Sequence, residues 1–421
     1  MTLTSSLECG AQRAGRYKAA HAALEETEAA DPGQSPGQSP GQSPGQSWAA
    51  VAKGCLEALG DLPEGANLGF LYATDALADD LGSIVTFLRE RTGIPRWVGT
   101  VGLGVVASGV EYYDRPALSL LVAALPDDAF RAFAPVTAAP GDGGLQAFTA
   151  AHGDWIAQHR PILGVVHGDP RNTAIIDIVE GVAAATSAFL VGGLTASEHS
   201  LPQVAGDLGS GLLESGVLAE GGLSGVLLSS EQMVVAGLSQ GCSLIGEEHV
   251  ITAVEGPGVI ESVDGRPVLE VLREEVGELL ARDLSRIAGY IFAALPITGS
   301  DTGDYLVRNL IGIDPARGLL QIGADLRPGE RLRFCRRDHQ TAKADLKRML
   351  EDLRERAGGA PRGALYFSCV ARGRHLFGPQ SEELQLIREA FGDMPLTGFF
   401  ANGEICNNRL YGYTGVLTLL L

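Results

Sequence analysis

Long apolar runs are missing from this sequence. No stretch of about 18 apolar residues occurs, so no membrane-spanning helix is expected. The opening residues carry Glu8, Arg13, Arg16, Lys18, Glu25, Glu26 and Glu28 around no apolar segment, so no secretory leader is expected and a reducing cytoplasm is the expected compartment. Paired cysteine spacing is absent too. Cys9, Cys55, Cys242, Cys335, Cys369 and Cys406 lie far apart, with no CxxC and no histidine at zinc-finger distance, which argues against a structural metal site and against disulfide staples. Positive charge is scarce: 32 Lys and Arg against 51 Asp and Glu leave a net charge of −19, so nucleic acid and anionic membrane surfaces are not expected partners. The densest basic run, Arg331, Arg333, Arg336 and Arg337, alternates with Leu332 and Phe334 and reads as the solvated face of a strand.

What is present is length, glycine and periodicity. A chain of 421 residues exceeds one ordinary domain, and two packed domains are expected. Residues 32–47 repeat Pro-Gly-Gln-Ser four times, a tract that buries no apolar surface and is expected as a flexible loop between a strand at 16–23 and a helix with Trp48, Val51, Cys55, Leu56 and Leu59 on one face. Residues 1–15 read as a tail. Strands and helices then alternate: a strand at 68–73, a helix face of Leu77, Leu81, Ile84, Val85 and Leu88, and strands at 98–107 and 117–125 joined through Glu111-Tyr112-Tyr113-Asp114. A helix at 145–158, a strand at 162–166, a helix at 174–185 and a strand at 187–192 follow.

From Leu223 the texture becomes strand after strand, at 225–229, 232–239, 249–254 and 258–263, suggesting an antiparallel meander. A helix faced by Val268, Leu272, Val276 and Leu279 precedes strands at 290–295, 305–313, 318–322 and 331–337, and Asp338 stands where it can cap the next helix. The chain ends strand, helix, strand, turn, strand. The fold class expected is α+β: two mixed α/β domains with largely antiparallel sheets packed against amphipathic helices, divided at 16–239 and 240–421.

Catalytic patterns are few. Gly237-Leu238-Ser239-Gln240-Gly241 has the spacing of a nucleophile elbow, but an elbow needs a helix directly after it and Cys242 to Gly246 leads into a strand. A hydrolase using Ser239 is therefore the lesser reading, and no enzyme is expected. The glycine clusters at 99–104 and 206–211 run GxxGxG, the reverse of the dinucleotide fingerprint, with no Walker lysine, and read as tight turns. His152 and His159 share a helix face and His167 closes a strand. Any one histidine suffices as an axial haem ligand, and equally as an ordinary hydrogen-bonded side chain.

Two C-terminal segments carry more. Phe367-Ser368-Cys369-Val370-Ala371-Arg372-Gly373-Arg374 ends an apolar strand with a thiol and a guanidinium. Asn402-Gly403 forces a tight turn from which Glu404 emerges. Arg372 and Glu404 at adjacent strand ends would suit the carboxylate and ammonium of an amino acid, or would hold one turn as an internal ion pair.

In order along the chain, Trp97 to Val106, Val166-His167-Gly168-Asp169-Pro170, Leu190 to Leu194, Gln240 to Gly246, Phe367 to Gly373 and Gly398-Phe399-Phe400-Ala401-Asn402-Gly403-Glu404-Ile405 resemble the FIST family of sensory domains, over nearly the whole chain from about Arg16. The resemblance implies N- and C-terminal FIST domains, binding of small molecules such as amino acids, and signalling through a separate protein partner. It points to Cys242, Cys369, Arg372, Phe400, Asn402, Gly403 and Glu404 as ligand-binding residues, with no metal or cofactor. Similarity to haem-containing nitric-oxide sensors that regulate histidine kinases implies haem as the alternative. The chain departs from the family pattern at Thr100, where a cysteine is common, and at Cys406-Asn407-Asn408 after the final turn.

Overall fold

The computed structural model describes residues 7–25, 44–139, 141, 143–205, 218–277, 287, 289–297 and 304–421. The glycine cluster at 206–211 and residues 32–43 of the repeat tract lie outside them. The class is α+β, as the alternation of periods implied. Two compact units emerge: one comprises residues 1–238, 347–410 and 414–421, the other 239–346 with 411–413. The chain leaves the first unit near residue 239 and later returns to it.

The first unit opens with β1 (Leu7–Ala14) and β2 (Tyr17–Leu24), paired antiparallel around a turn in which Gly15 takes φ 56°. Residues 7–14 are thus an edge strand rather than a tail, because β2 offers an unpaired backbone edge. Helix α1 (Pro44–Leu59) starts inside the last Pro-Gly-Gln-Ser copy, so residues 44–47 form its first turn instead of loop. Proline is tolerated at the first helical position, where its missing N–H has no helical partner to lose. Next come β3 (Leu68–Thr74), α2 (Leu81–Thr92), β4 (Arg96–Gly102), β5 (Gly104–Ala107), β6 (Val110–Tyr113) and β7 (Ala117–Ala123). The strand expected over 98–107 breaks at Leu103, and its two parts enter different sheets.

The same plan then recurs. β8 (Phe130–Val136), α3 (Gly144–His159), β9 (Leu163–Gly168), α4 (Ile175–Thr186), β10 (Phe189–Leu194), β11 (Gln203–Val204), β12 (Leu218–Ala219) and β13 (Leu223–Leu228) form a second repeat, and β14 (Val234–Gln240) begins a third. The second unit follows β14. It is one sheet of β15 (Cys242–Gly256), β16 (Val259–Val263), β17 (Arg266–Pro267), β18 (Ile291–Pro296), β19 (Tyr305–Asp314), β20 (Leu319–Ile322) and β21 (Arg331–Arg337), ordered β15-β21-β18-β19-β20-β16-β17, with α5 (Val268–Glu275) burying Val268, Val271 and Leu272 in its core. Only β15 and β16 of the expected meander pair with each other; β13 and β14 belong to two other sheets. Asp338 caps α6 (His339–Ala357) through a 2.7 Å bond from the Thr341 N–H. The third repeat finishes with β22 (Gly363–Cys369), α7 (Glu382–Phe391), β23 (Leu396–Ala401), β24 (Glu404–Cys406), β25 (Arg409–Tyr411) and β26 (Thr414–Leu420).

Three sheets of one topology result: β1-β2-β7-β3-β4-β11-β12, β8-β13-β9-β10-β24-β25 and β14-β26-β22-β23-β5-β6. Each is built on a parallel strand–helix–strand pair, β3/β4, β9/β10 or β22/β23. The strand pair that follows each of these units joins a neighbour's sheet. The first repeat gives β5/β6 to the third sheet, the second gives β11/β12 to the first, and the third gives β24/β25 to the second. The exchange closes in a cycle. Helices cover the sheets in the expected way, with Val51, Cys55, Leu59, Ile84 and Leu88 packed over Leu71 and Trp97, and Phe148, Ile178 and Val182 over Val166 and Leu227.

One glycine marks each repeat. Gly99, Gly192 and Gly398 face Leu71, Val166 and Tyr366 across the parallel pairs, where a Cβ would stand 1.7, 1.8 and 1.7 Å from the facing carbonyl oxygen. Only glycine fits so close an approach. The next residue on each first strand is Tyr72, His167 or Phe367. These meet at the centre of the unit: Tyr72 lies 5.5 Å from His167 and 5.9 Å from Phe367, and Phe399 stacks on Tyr72 at 5.2 Å, all between ring centroids.

Candidate functional site

The motif residues gather at the carboxyl ends of β22 and β23, where ligands bind in open α/β sheets. Register sets Phe400 beside Ser368 and Cys369 beside Ala401, and the Val370 N–H donates to the Ala401 carbonyl at 3.0 Å. Beyond Cys369 the chain turns through Arg372 and a short 3-10 segment, Gly373–His375, before α7. The first turn of α7 carries Glu383 inward. Its carboxylate accepts from Tyr366 Oη at 2.5 Å, Arg372 Nε at 2.8 Å, Arg372 Nη2 at 2.6 Å and Gly373 N at 3.0 Å, with Ser368 Oγ at 3.3 Å. Tyr366, Ser368, Arg372 and Glu383 are all fully buried. Burial works against the Arg372 charge, but Glu383 beside it holds the guanidinium protonated more firmly than usual.

The exchanged strand β6 closes the cluster from the other side. Glu111, at 9% exposure, has no side-chain hydrogen-bond partner and meets only the Arg374 backbone. Burial, reinforced by the nearby Glu383, pushes its pKa up to about 8. Tyr113 stacks on Phe400 at 4.7 Å with the Arg374 guanidinium over its ring at 4.4 Å, and its hydroxyl has no side-chain hydrogen-bond partner. Arg374 pairs with Asp114, and the Glu111 N–H donates to Ser381 Oγ at 3.2 Å. On β24, Glu404 is fully buried. Its Oε2 accepts from Thr414 N at 3.0 Å and Thr414 Oγ1 at 2.8 Å, whereas Oε1 has no hydrogen-bond partner. Burial raises the Glu404 pKa to about 8, opposed by Thr414, by the Arg372 charge and by the Cys369 thiol.

Cys369, Arg372, Phe400 and Glu404 therefore come together, and Arg372 is taken by Glu383. Asn402 is exposed in the turn between β23 and β24. That turn works through its backbone: Asn402 N donates to Leu194 O at 3.0 Å and Leu194 N to Gly403 O at 2.9 Å, locking the third repeat to the second. Cys242 is elsewhere, in the core of the second unit with Cys335, Phe292 and Val307, its carbonyl accepting from Tyr305 Oη at 2.5 Å. Ser239 lies fully buried at the end of β14 and is followed by a strand, so the nucleophile-elbow geometry is absent. Sequence reasoning missed Glu383, Glu111 and Tyr113. Glu383 resembles any acidic first-turn residue of an amphipathic helix, while Glu111 between apolar strands and beside two tyrosines was the one available signal.

A haem iron would need a histidine ring nitrogen facing an apolar slot. His167 has an unpartnered Nδ1, but the ring is wholly buried between Tyr72 and Phe399, its Nε2 is 3.1 Å from Tyr72 Oη, and burial holds its pKa down to about 3. His21 is bonded through Nδ1 to Tyr112 Oη at 2.7 Å, and His249 is held between Asp264 and Glu275, both at 2.7 Å. These three do not fit axial ligation. Among the described residues no group of three or more His, Cys, Asp or Glu is placed to hold a metal ion, and no helix is long and apolar enough to cross a membrane.

Comparison with known proteins agrees with the motif order. The FIST N domain matches residues 67–266 and the FIST C domain residues 269–407. The chain belongs to the FIST family, whose domains are sensory modules of signal transduction rather than enzymes. It is 37% identical over 211 residues to an uncharacterized protein of Mycobacterium tuberculosis, a match spanning 48% of this chain and 54% of that one. It is also 29% identical over 375 residues to an uncharacterized protein of Mycobacterium bovis, covering 87% of this chain and 92% of the relative.

Proposed function

We propose that this protein senses a small molecule, an amino acid or related metabolite, in the cytoplasm and passes the signal to a separate protein partner. The observation that carries this reading is the set of buried polar atoms around Arg372 with no side-chain partner: both oxygens of Glu111 and the Tyr113 hydroxyl, which meet only the Arg374 backbone, and Oε1 of Glu404. Buried polar atoms without partners are rare, and each calls for a group to fill it. A ligand ammonium supplies three donors and a positive charge, which a cluster of three carboxylates around one guanidinium accepts.

Arg372 and Glu404 are buried, while the Arg374–Asp114 pair beside Tyr113 is partly exposed. Six unbridged cysteines agree with a reducing compartment.

Thermal-shift screening of amino acids tests the proposal. A ligand at 100 times its dissociation constant should stabilise the fold by about 2.7 kcal/mol. Glu111→Gln and Glu404→Gln should weaken that ligand while leaving a folded protein. Since both carboxyls titrate near 8, ammonium binding at neutral pH should also release protons, read as a calorimetric heat that changes with the ionisation enthalpy of the buffer. A panel with no hit, or a hit indifferent to both substitutions, would sink the reading.

A further inference from the structure

We propose that Cys242 and Cys335 form a reversible disulfide, a redox-sensitive staple between the first and last strands of the second unit. Cys242 belongs to the Gln240 to Gly246 motif, which the ligand cluster of the third repeat leaves without a role. Strand register brings the two cysteines together. Leu244 of β15 stands opposite Cys335 of β21, and Cys242, two residues before Leu244, has its side chain on the same face. The two thiols are hydrogen-bonded to each other, and both are buried in a small cluster with Phe292, Ala294 and Val307.

The surroundings decide what such a pair does. A soft monovalent ion between two thiolates would leave net negative charge in this apolar cluster. A zinc ion needs further ligands, and among the described residues no third His, Cys, Asp or Glu completes a metal site. A disulfide carries no charge and suits the same space. Tyr305, packed against the cluster, gives its hydroxyl proton to the Cys242 carbonyl at 2.5 Å.

Access comes from the ladder itself. Residues 242–245 pair with 334–337, bounded on one side by the register shift between Ile245 and His249. On the other side the ladder ends, where the Asp338 N–H reaches the Gly241 carbonyl at a long 3.4 Å. A four-residue segment between a bulge and a ladder end opens more readily than the rest of the sheet. Leu244, beside Cys335, is 37% exposed. The hydrogen bond to Cys242, and after it burial, push the Cys335 thiol up, so Cys335 keeps its proton and Cys242 is the attacking sulfur.

Hydrogen peroxide is an oxidant small enough for this place, and the step balances with it. Cys242 Sγ attacks one peroxide oxygen and the O–O bond breaks. The Cys242 proton goes to the departing hydroxide, giving a sulfenic acid and one water. Cys335 Sγ then attacks Cys242 Sγ, forming the S–S bond, and the sulfenic hydroxyl leaves with the Cys335 proton as a second water. Two thiols are oxidised and one peroxide is reduced. In a reducing compartment the bond forms only under oxidant, and thiol exchange reverses it.

Peptide mass mapping of the folded full-length protein, after exposure to hydrogen peroxide and alkylation of the remaining thiols, tests the proposal. A peptide pair joined through Cys242 and Cys335 is expected, and dithiothreitol should separate it. Because the bond closes the long loop between these residues, the urea midpoint should rise on oxidation and return on reduction. Cys242→Ala and Cys335→Ala should each lose both the joined peptide and the midpoint shift, and Cys9→Ala should keep both. Thermal melting checks that the variants are folded; where an alanine variant is not, Cys242→Ser or Cys335→Ser replaces it. Absence of the joined peptide in the folded wild-type protein overturns the proposal, as does its formation only in urea. A cross-linked protein with an unchanged urea midpoint overturns it too. None of these readouts involves Glu111 or Glu404, so the staple and the amino-acid site can each fail alone.

Discussion

The first and third repeats share one topology and differ in what occupies the crevice at their carboxyl ends. In the third, Arg372, Glu383, Glu111 and Glu404 are drawn out of water. In the first, the acidic side chains that follow β3, Asp75 and Asp79, stay in contact with water and bond to Ser197 and Ser200. The received strand pairs show the same divergence. Relative to the marker glycines, Val105, Gln203 and Glu404 are equivalent, because Val106, Val204 and Ile405 face Gly398, Gly99 and Gly192. Gln203 is satisfied, with Nε2 donating to Gly222 O at 2.9 Å and Oε1 accepting from Ser224 Oγ at 2.5 Å. Glu404, equally buried, is left with a bare oxygen. One framework therefore tolerates an apolar, a neutral polar or an ionisable side chain at the same place, and the strain of carrying charge has been concentrated in the third repeat.

The strongest way to break this contrast is to remove Glu383. Glu383→Ala leaves the Arg372 guanidinium buried without its counter-ion and should cost about 3–5 kcal/mol in urea unfolding. A loss under about 1 kcal/mol would mean that the pair is not buried as described. Next come the marker glycines. Gly99→Ala, Gly192→Ala and Gly398→Ala should each destabilise by about 3 kcal/mol or more, alike in all three repeats, since each new methyl meets a backbone carbonyl that cannot step aside. Unequal effects would show that the repeats are less equivalent than their topology.

The pH dependence sharpens the contrast further. Glu111 and Glu404 bind protons in the folded protein up to about pH 8, whereas an ordinary glutamate, near 4.5, has already lost its proton. The folded state thus holds more protons between those values, and the stability they contribute is complete below about pH 4.5 and lost as pH rises through 8. Chemical denaturation at stepped pH should show that loss, and Glu404→Gln and Glu111→Gln should each remove part of it. His21 and His167 act with the opposite sign, held down to about 4 and about 3 by burial, so their contribution is present above about 6.5 and disappears as pH falls through those values. The smallest effect is expected at the surface of the first repeat. Asp75→Ala removes bonds from Ser197 and Glu198 and should cost about 1 kcal/mol.

Much of the local structure was legible. The helix faces around Val51, Ile84 and Val268 and the strands at β3, β9, β22 and β23 follow from period and composition. The break at Leu103 was not, because Val98 to Ala107 is uncharged and mostly apolar, and apolarity does not say which sheet a strand joins. The threefold plan also escaped the sequence. Beyond the marker glycines the repeats keep little in common, Tyr72, His167 and Phe367 being three different residues for one central position. At the site, the C-terminal motifs directed attention to Cys369, Arg372, Phe400 and Glu404, but not to the Arg372 partner.

What the sequence determined alone is most of the order of elements, the apolar face each must bury, the turn at Asn402-Gly403, and the family. These depend on residues within a few positions of one another, where period and backbone freedom act directly. The tertiary structure decided the cyclic exchange of strand pairs, the return of the chain to its first unit after residue 346, and the choice of Glu383 rather than Glu404 as the main counter-ion of Arg372. Backbone hydrogen bonds are the same for every strand, so register and partner are settled by long-range packing. A buried guanidinium likewise goes to the carboxylate that the fold brings within bonding distance, whichever one the sequence places beside it.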